Sequence, residues 1–253
     1  VRRRETQEGT ELRFAQERFT ARPPDTRRPA RAHTRTPRST WPIPWVGRLG
    51  VGGSRTRTER QLIGKARERL LLSGKAPVFV YANADEGGFY RPIHDPEELA
   101  AIASHLSALS AVERMGLVGH QWAHVKTGRA PLPDFLDLAL ALRDEPDPDV
   151  LVALRGPLGY VVASAERTRG EQGAAALRRR IAEAFGPALD AGGLETAPRE
   201  SDEERLRRAA RLALVGGLGE RPDIFEAAAE RAARYLKDRR AIDPNLADLW
   251  VAL

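Results

Sequence analysis

The residues whose types and spacing invite chemistry stand together in GHQWAH, Gly119 to His124. His120 and His124 are four apart, so on a helix they share a face, which is the spacing with which H-E-x-x-H chelates zinc. Gln121 stands where that pattern carries the Glu that deprotonates a zinc-bound water, and an amide cannot act as that base. Helical projection also puts Met115, Val118, Trp122 and Val125 on one stripe, which predicts both histidines on the opposite, solvated side. The expectation is an amphipathic helix, with no catalytic, cofactor-binding or metal-ligating residue.

Other candidate clusters reduce in the same way. Asp144, Glu145, Asp147 and Asp149 are interrupted by Pro146 and Pro148 and lack the glycine and terminal Glu of an EF-hand loop. They predict an interhelical loop with a capping carboxylate. Gly50, Gly52 and Gly53 are followed by no Lys-Ser/Thr and open no helix, so they predict a turn rather than a phosphate cradle. Arg178 to Arg180 and Arg207-Arg208 flank apolar stripes and predict solvated helix faces. No pattern of the nucleophile-elbow kind singles out a serine.

The elements that must position these residues change character along the chain. Its 253 residues are ample for a buried core, with 42% apolar and 30% charged residues. No apolar run approaches the length of a bilayer span, so a soluble protein without a membrane span is expected. Cysteine is absent, which excludes disulfides and thiolate chemistry and leaves the compartment open, with the cytoplasm as the expectation. The net charge of +6 comes mainly from arginine interleaved with acids, a pattern that predicts no nucleic-acid partner.

Up to about His94 the alternation has period two. Leu12, Phe14 and Gln16 form one run, Trp41, Ile43 and Trp45 a second, and Val78 to Tyr81 a third. Gly87-Gly88 then predicts a turn into a return strand, Phe89 to Ile93. Pro42 and Pro44 cannot donate ladder hydrogen bonds, which predicts a sheet edge for Trp41 to Trp45. Residues 20–40, rich in Arg, Pro and Thr, are expected to form a disordered loop.

After His94 the period is helical. Asp95-Pro96, Asp147-Pro148 and Asp243-Pro244 each set a capping carboxylate before a proline at the first helical position. Ser201 with Glu204 spells a capping box, and Gly216-Gly217 predicts a helix end with positive φ. Leu177, Ile181 and Phe185, then Leu246, Leu249, Trp250 and Leu253, form helical stripes. The fold expected is α+β: a small antiparallel β-sandwich over 1–94, then an all-α helical-repeat domain of the HEAT or armadillo kind over 95–253. Both ends look cut, so the helical domain is expected to be incomplete at its C-terminus.

Three stretches carry a family likeness. ELRFAQERF, with Leu12, Gln16, Arg18 and Phe19, resembles the L-x-x-x-Q-x-R-F strand that opens the third domain of the gluzincin zinc aminopeptidases, the aminopeptidase N and puromycin-sensitive aminopeptidase family. WPIPW resembles that family's W-x-I-P strand. NADEGGFYRPIHDPEEL is similar to its N-x-x-x-x-G-Y-Y-R-V-x-Y-D link, matching at Asn83, Gly88, Tyr90, Arg91 and Asp95 and departing at Phe89, Pro92 and His94. Leu206 to Leu236 is similar to a helix pair of the helical domain that follows.

The resemblance implies a non-catalytic C-terminal portion of a zinc-dependent aminopeptidase that removes N-terminal residues from peptides. Zinc, its H-E-x-x-H ligands and the peptide substrate would belong to a catalytic domain upstream, and this portion would close and shape the peptide chamber. The family's spacing for the third zinc ligand would fall on Arg143, a cation, so GHQWAH is not expected to replace that site. The alternative is a stand-alone helical scaffold that binds peptides or proteins without catalysis.

Overall fold

The chain is described by a computed structural model at residues 1–21, 39–197 and 199–253. Within them the strands are β1 (Arg2–Thr6), β2 (Gly9–Ala15), β3 (Ile43–Gly52), β4 (Arg55–Ile63), β5 (Arg67–Leu71) and β6 (Phe79–Tyr81). They form two antiparallel sheets, ordered β1-β2-β5 and β4-β3-β6. Alternation places Leu12 and Phe14 of one sheet against Trp45, Leu49, Ile63 and Val80 of the other in a shared core. Phe14 meets Trp45 edge-on, with ring centroids 4.9 Å apart. Each such side chain stabilises the fold by about 1.5–3 kcal/mol through burial.

Of the glycines expected to form a turn, Gly52 and Gly53 do, while Gly50 stays in the ladder, paired with Thr56 and Phe79. Gly52 and Gly53 have φ of +112° and +59°, values that a side chain disfavours, and they connect β3 to β4 across a register shift. Two strand expectations need correction. β3 is the middle strand of its sheet, although its Trp45 end pairs only with β4, because the three-residue β6 reaches only Arg48 to Gly50. Phe89 to Ile93 is not a strand: a 3-10 turn at Ala84–Glu86 and bends through Tyr90 occupy the return path. The Arg- and Pro-rich loop expected near 20–40 falls largely on residues 22–38, outside those described.

The helices are α1 (Pro96–Ala103), α2 (Ala111–Lys126), α3 (Leu132–Ala141), α4 (Pro148–Gly192), α5 (Asp202–Leu212), α6 (Pro222–Lys237) and α7 (Pro244–Ala252). Asp95 caps α1 through Glu98 N, and Asp147 caps α4 through Asp149 N and Val150 N. Ser201 and Glu204 form the capping box that opens α5. Asp144, Glu145 and Asp147 lie in the loop between α3 and α4, where Glu145 accepts from Asp147 N at 2.9 Å, while Asp149 is in the first turn of α4. Gly170, at φ 68° and ψ −173°, breaks α4 into two helical segments.

Gly216-Gly217 does not end a helix with positive φ. Ala213–Leu218 continues from α5 as a π-helical turn, and the positive φ falls on Glu220. Gly216 is needed there for close approach, since a Cβ would stand 2.7 Å from Ile224 and 3.0 Å from Leu253.

The chain divides into two compact units, Val1–Ala141 and Leu142–Leu253. The first holds both sheets with α1 to α3, and Phe79 and Tyr81 of β6 share a second core with Leu99, Ile102, Leu117 and Leu138. The second unit holds α4 to α7 around buried Leu154, Ile181, Phe185, Val215, Ile224 and Trp250. No helix among the described residues is long and apolar enough to cross a membrane.

Candidate functional site

The site grows from the link that leaves β6, and within the first unit that link is a locked loop. Asn83 holds it at both ends: its Nδ2 donates to Gly88 O at 3.2 Å, and its Oδ1 accepts from Gly88 N at 2.9 Å. Gly88 admits no side chain, because a Cβ would sit 2.0 Å from the Tyr90 ring. Tyr90 folds back so that its hydroxyl donates to Ala82 O at 2.9 Å, and burial pushes its pKa up to about 12. The spacing Asn83, Gly88, Tyr90 is thus one self-closing turn.

Glu86 carries the loop onto α2. Its carboxylate accepts from Tyr81 OH and from Asn83 Nδ2, and it lies 2.8 Å from Nε2 of His120. Gly116, one turn before His120, leaves room for that carboxylate, since a Cβ there would stand 2.1 Å from Glu86 Cδ. Asp85 and Glu86 take positive φ of 57° and 51°, a conformation disfavoured for residues with side chains. Glu113 helps hold Asp85 there: its Oε1 accepts from Asp85 N at 2.9 Å and from Arg48 Nε at 2.6 Å.

Two more histidines close the far end of the link. His124 Nε2 stands 3.1 Å from Pro92 O, and His94 Nε2 accepts from Ala82 N at 3.3 Å. Burial lowers the pKa of both, that of His94 to about 3. Both rings are therefore neutral near pH 7, and the His124 contact to a carbonyl requires its proton on Nε2. Phe19 ties in the first strand motif: its ring lies 5.8 Å from His124, with the guanidinium groups of Arg91 and Arg129 at 5.4 and 5.0 Å.

The expectation of solvated histidines is overturned. His124 is buried and His120 is mostly covered, while Met115 is exposed. The buried side of α2 runs through Glu113, Leu117, Gln121 and His124. It is largely polar because it faces a polar loop, so an apolar stripe cannot reveal it. The helical spacing of Glu113, Gly116, His120 and His124 was the available signal. Trp122 still turns toward the protein, 5.1 Å from Phe135.

Chemically, the arrangement binds chain to chain. Glu86 and Glu113 have their oxygens committed to named donors, and burial followed by the Glu86 bond raises the Tyr81 phenol above its ordinary value. In GHQWAH the Nε2 atoms of His120 and His124 contact different protein groups, Glu86 Oε2 and Pro92 O. Among the described residues no group of three His, Asp or Glu is placed to hold a metal.

One comparison with known proteins starts at this same link. The model of the ERAP1-like C-terminal domain matches residues 79–252, from the first residue of β6 to the last of α7. Aminopeptidase M1-A of Oryza sativa subsp. japonica is 27% identical over 195 residues, which cover 74% of this chain. The chain spans 22% of the rice protein's length.

Proposed function

The chain belongs to the ERAP1-like C-terminal domain family, a C-terminal region of M1 aminopeptidases, and from that premise we propose what it does. It is the non-catalytic C-terminal portion of a zinc-dependent aminopeptidase that removes N-terminal residues from peptides, and it helps to close and shape the peptide chamber. The observation that carries this reading is the locked link of Asn83, Gly88, Tyr90 and Glu86 on α2, at the point where the family match begins. A joint built on strained backbone and committed carboxylates suits rigid support of helices better than proton transfer.

The finer parts of the proposal follow from it. Residues 1–94 act as a β-sandwich spacer, and 95–253 as a helical domain whose helices pair in the manner of HEAT or armadillo repeats. Pairing of α4 with α5 and of α6 with α7 supports that architecture. Zinc and peptide are handled by an upstream catalytic domain of the same polypeptide, which is this portion's principal partner, in a cytoplasmic setting.

Two measurements test this. The chain alone should show no bestatin-sensitive hydrolysis of an aminoacyl chromogenic substrate and no stoichiometric zinc; turnover abolished by His120→Ala would overturn the proposal. The coding sequence read upstream in frame should contain H-E-x-x-H with a downstream Glu. A start codon just before Val1 would favour a stand-alone scaffold instead.

A further inference from the structure

Directly opposed residues in an antiparallel pair project to the same side of a sheet. In the first sheet Arg2 opposes Arg13, which opposes Arg69; Arg4 opposes Glu11; and Ala15 opposes Arg67. The other side of this sheet carries Leu12 and Phe14 into the core, so the arginines occupy the outer side. Arg2, Arg4 and Arg67 are exposed, and the side chains of Arg13 and Arg69 are 41% and 71% exposed. Five arginines thus share one side with a single carboxylate, Glu11, already bonded to Arg13 and 3.7 Å from Arg69.

Like charges set directly opposite destabilise a sheet. Charged side chains on edge strands guard against unwanted pairing, which accounts for arginine on β1 and β5. It does not account for Arg13, which lies on the middle strand between two other arginines. The same surface continues into a groove of about 880 Å³, where Arg2, Arg13, Arg67 and Arg69 are joined by Arg129, with Glu68, Asp95 and Asp134 also at its wall.

The chemistry of the occupant follows from what shares the face. Its other positions are Thr6, Gly9, Ala15 and Leu71, and none is an aromatic ring on which a base could stack. Leu71 and Ala15 are exposed and offer apolar contact. We propose that the outer side of the β1-β2-β5 sheet and the adjoining groove bind an acidic polypeptide segment, whose carboxylates take the guanidinium forks pairwise. Planar bidentate pairing of this kind is what arginine does and lysine does not. The inference goes beyond the proposed place of the chain in an aminopeptidase and does not depend on it.

The test is fluorescence anisotropy of a labelled poly-glutamate peptide titrated with this chain. Binding should weaken between about 50 mM and about 200 mM salt, as ionic contacts do. The double reversal Arg2→Glu/Arg69→Glu should weaken it by at least about tenfold, while the melting temperature holds or rises because opposed like charges are removed. Reversal of the exposed Arg179 on α4, Arg179→Glu, should leave binding unchanged. The proposal is overturned by absence of binding at the lower salt, by equal loss in Arg179→Glu, or by an unaltered affinity in the double variant. Tighter binding of a single-stranded oligonucleotide of equal charge would assign the face to nucleic acid and overturn it too.

Discussion

Glu86 Oε2 lies 2.8 Å from Nε2 of His120, a contact that ties the link after β6 to the middle of α2. The same carboxylate also receives Tyr81 and Asn83, so the loop, the strand before it and the helix share one acceptor. His120→Ala should therefore destabilise the first unit by about 1–3 kcal/mol, the consequence of leaving a partly buried acceptor short of a donor. Urea unfolding followed through a probe in that unit measures it. A change within about 0.5 kcal/mol, ordinary for a surface substitution, would mean the pair contributes nothing.

Gly88→Ala tests the self-closing turn. The added methyl would stand 2.0 Å from the Tyr90 ring, so either the ring or the loop must move. Overpacking of this kind costs about 1–3 kcal/mol. Tyr90→Phe should cost about 1 kcal/mol by loss of the bond to Ala82 O. In the double variant the two losses should not add, since Tyr90 no longer holds its place; strict additivity would separate the two residues.

Stability should fall as pH drops below the ordinary histidine range. His94 is buried, and burial holds its pKa down to about 3; His124 is lowered for the same reason. Below about pH 6.5 the unfolded chain binds protons that the folded chain does not, so folding loses up to about 1.4 kcal/mol per pH unit for each fully shifted histidine. The loss for His94 continues down to its folded value near 3. Glu98, raised by burial, acts in the opposite sense, because the folded chain keeps a proton that the unfolded chain has released. Urea midpoints between about pH 7 and about pH 5 should decline less steeply in His94→Gln than in the parent chain. Parallel slopes would exclude His94 as a source.

In the second unit, Phe185→Ala should cost about 3–5 kcal/mol, the range for emptying a large buried aromatic site. Phe185 is fully buried on α4, in the stripe that includes Ile181. Asp147→Ala should cost only about 0.5–2 kcal/mol, because it removes a cap that accepts from Asp149 N and Val150 N. Calorimetry of both variants orders the two effects, and a cap loss exceeding the core loss would contradict the packing described.

Much of the helical half was legible because its signals are short. A carboxylate before proline reads as a helix start at Asp95 and Asp147 whatever the rest of the chain does, and the box of Ser201 and Glu204 closes within four residues. β1, β4 and β5 were not legible, since sequences such as RTRTERQLI alternate arginine with threonine rather than apolar with polar. Their ladders are made by backbone, and the pairing of β2 with β5 joins residues far apart in the chain.

The candidate site divides the same way. The likeness of Asn83, Gly88, Tyr90, Arg91 and Asp95 to a family link could be read directly, as could the spacing of His120 and His124. The direction those histidines face could not. By itself the sequence determined helix starts, the order of sheets before helices and the family resemblance, because each rests on contacts within a few residues or on the residues themselves. Only the tertiary structure decided that α2 turns its polar side inward and that Phe89 to Ile93 leaves the sheet. Both depend on Glu86, held at positive φ, meeting a partner thirty-four residues away, and a buried polar side forms wherever such partners meet.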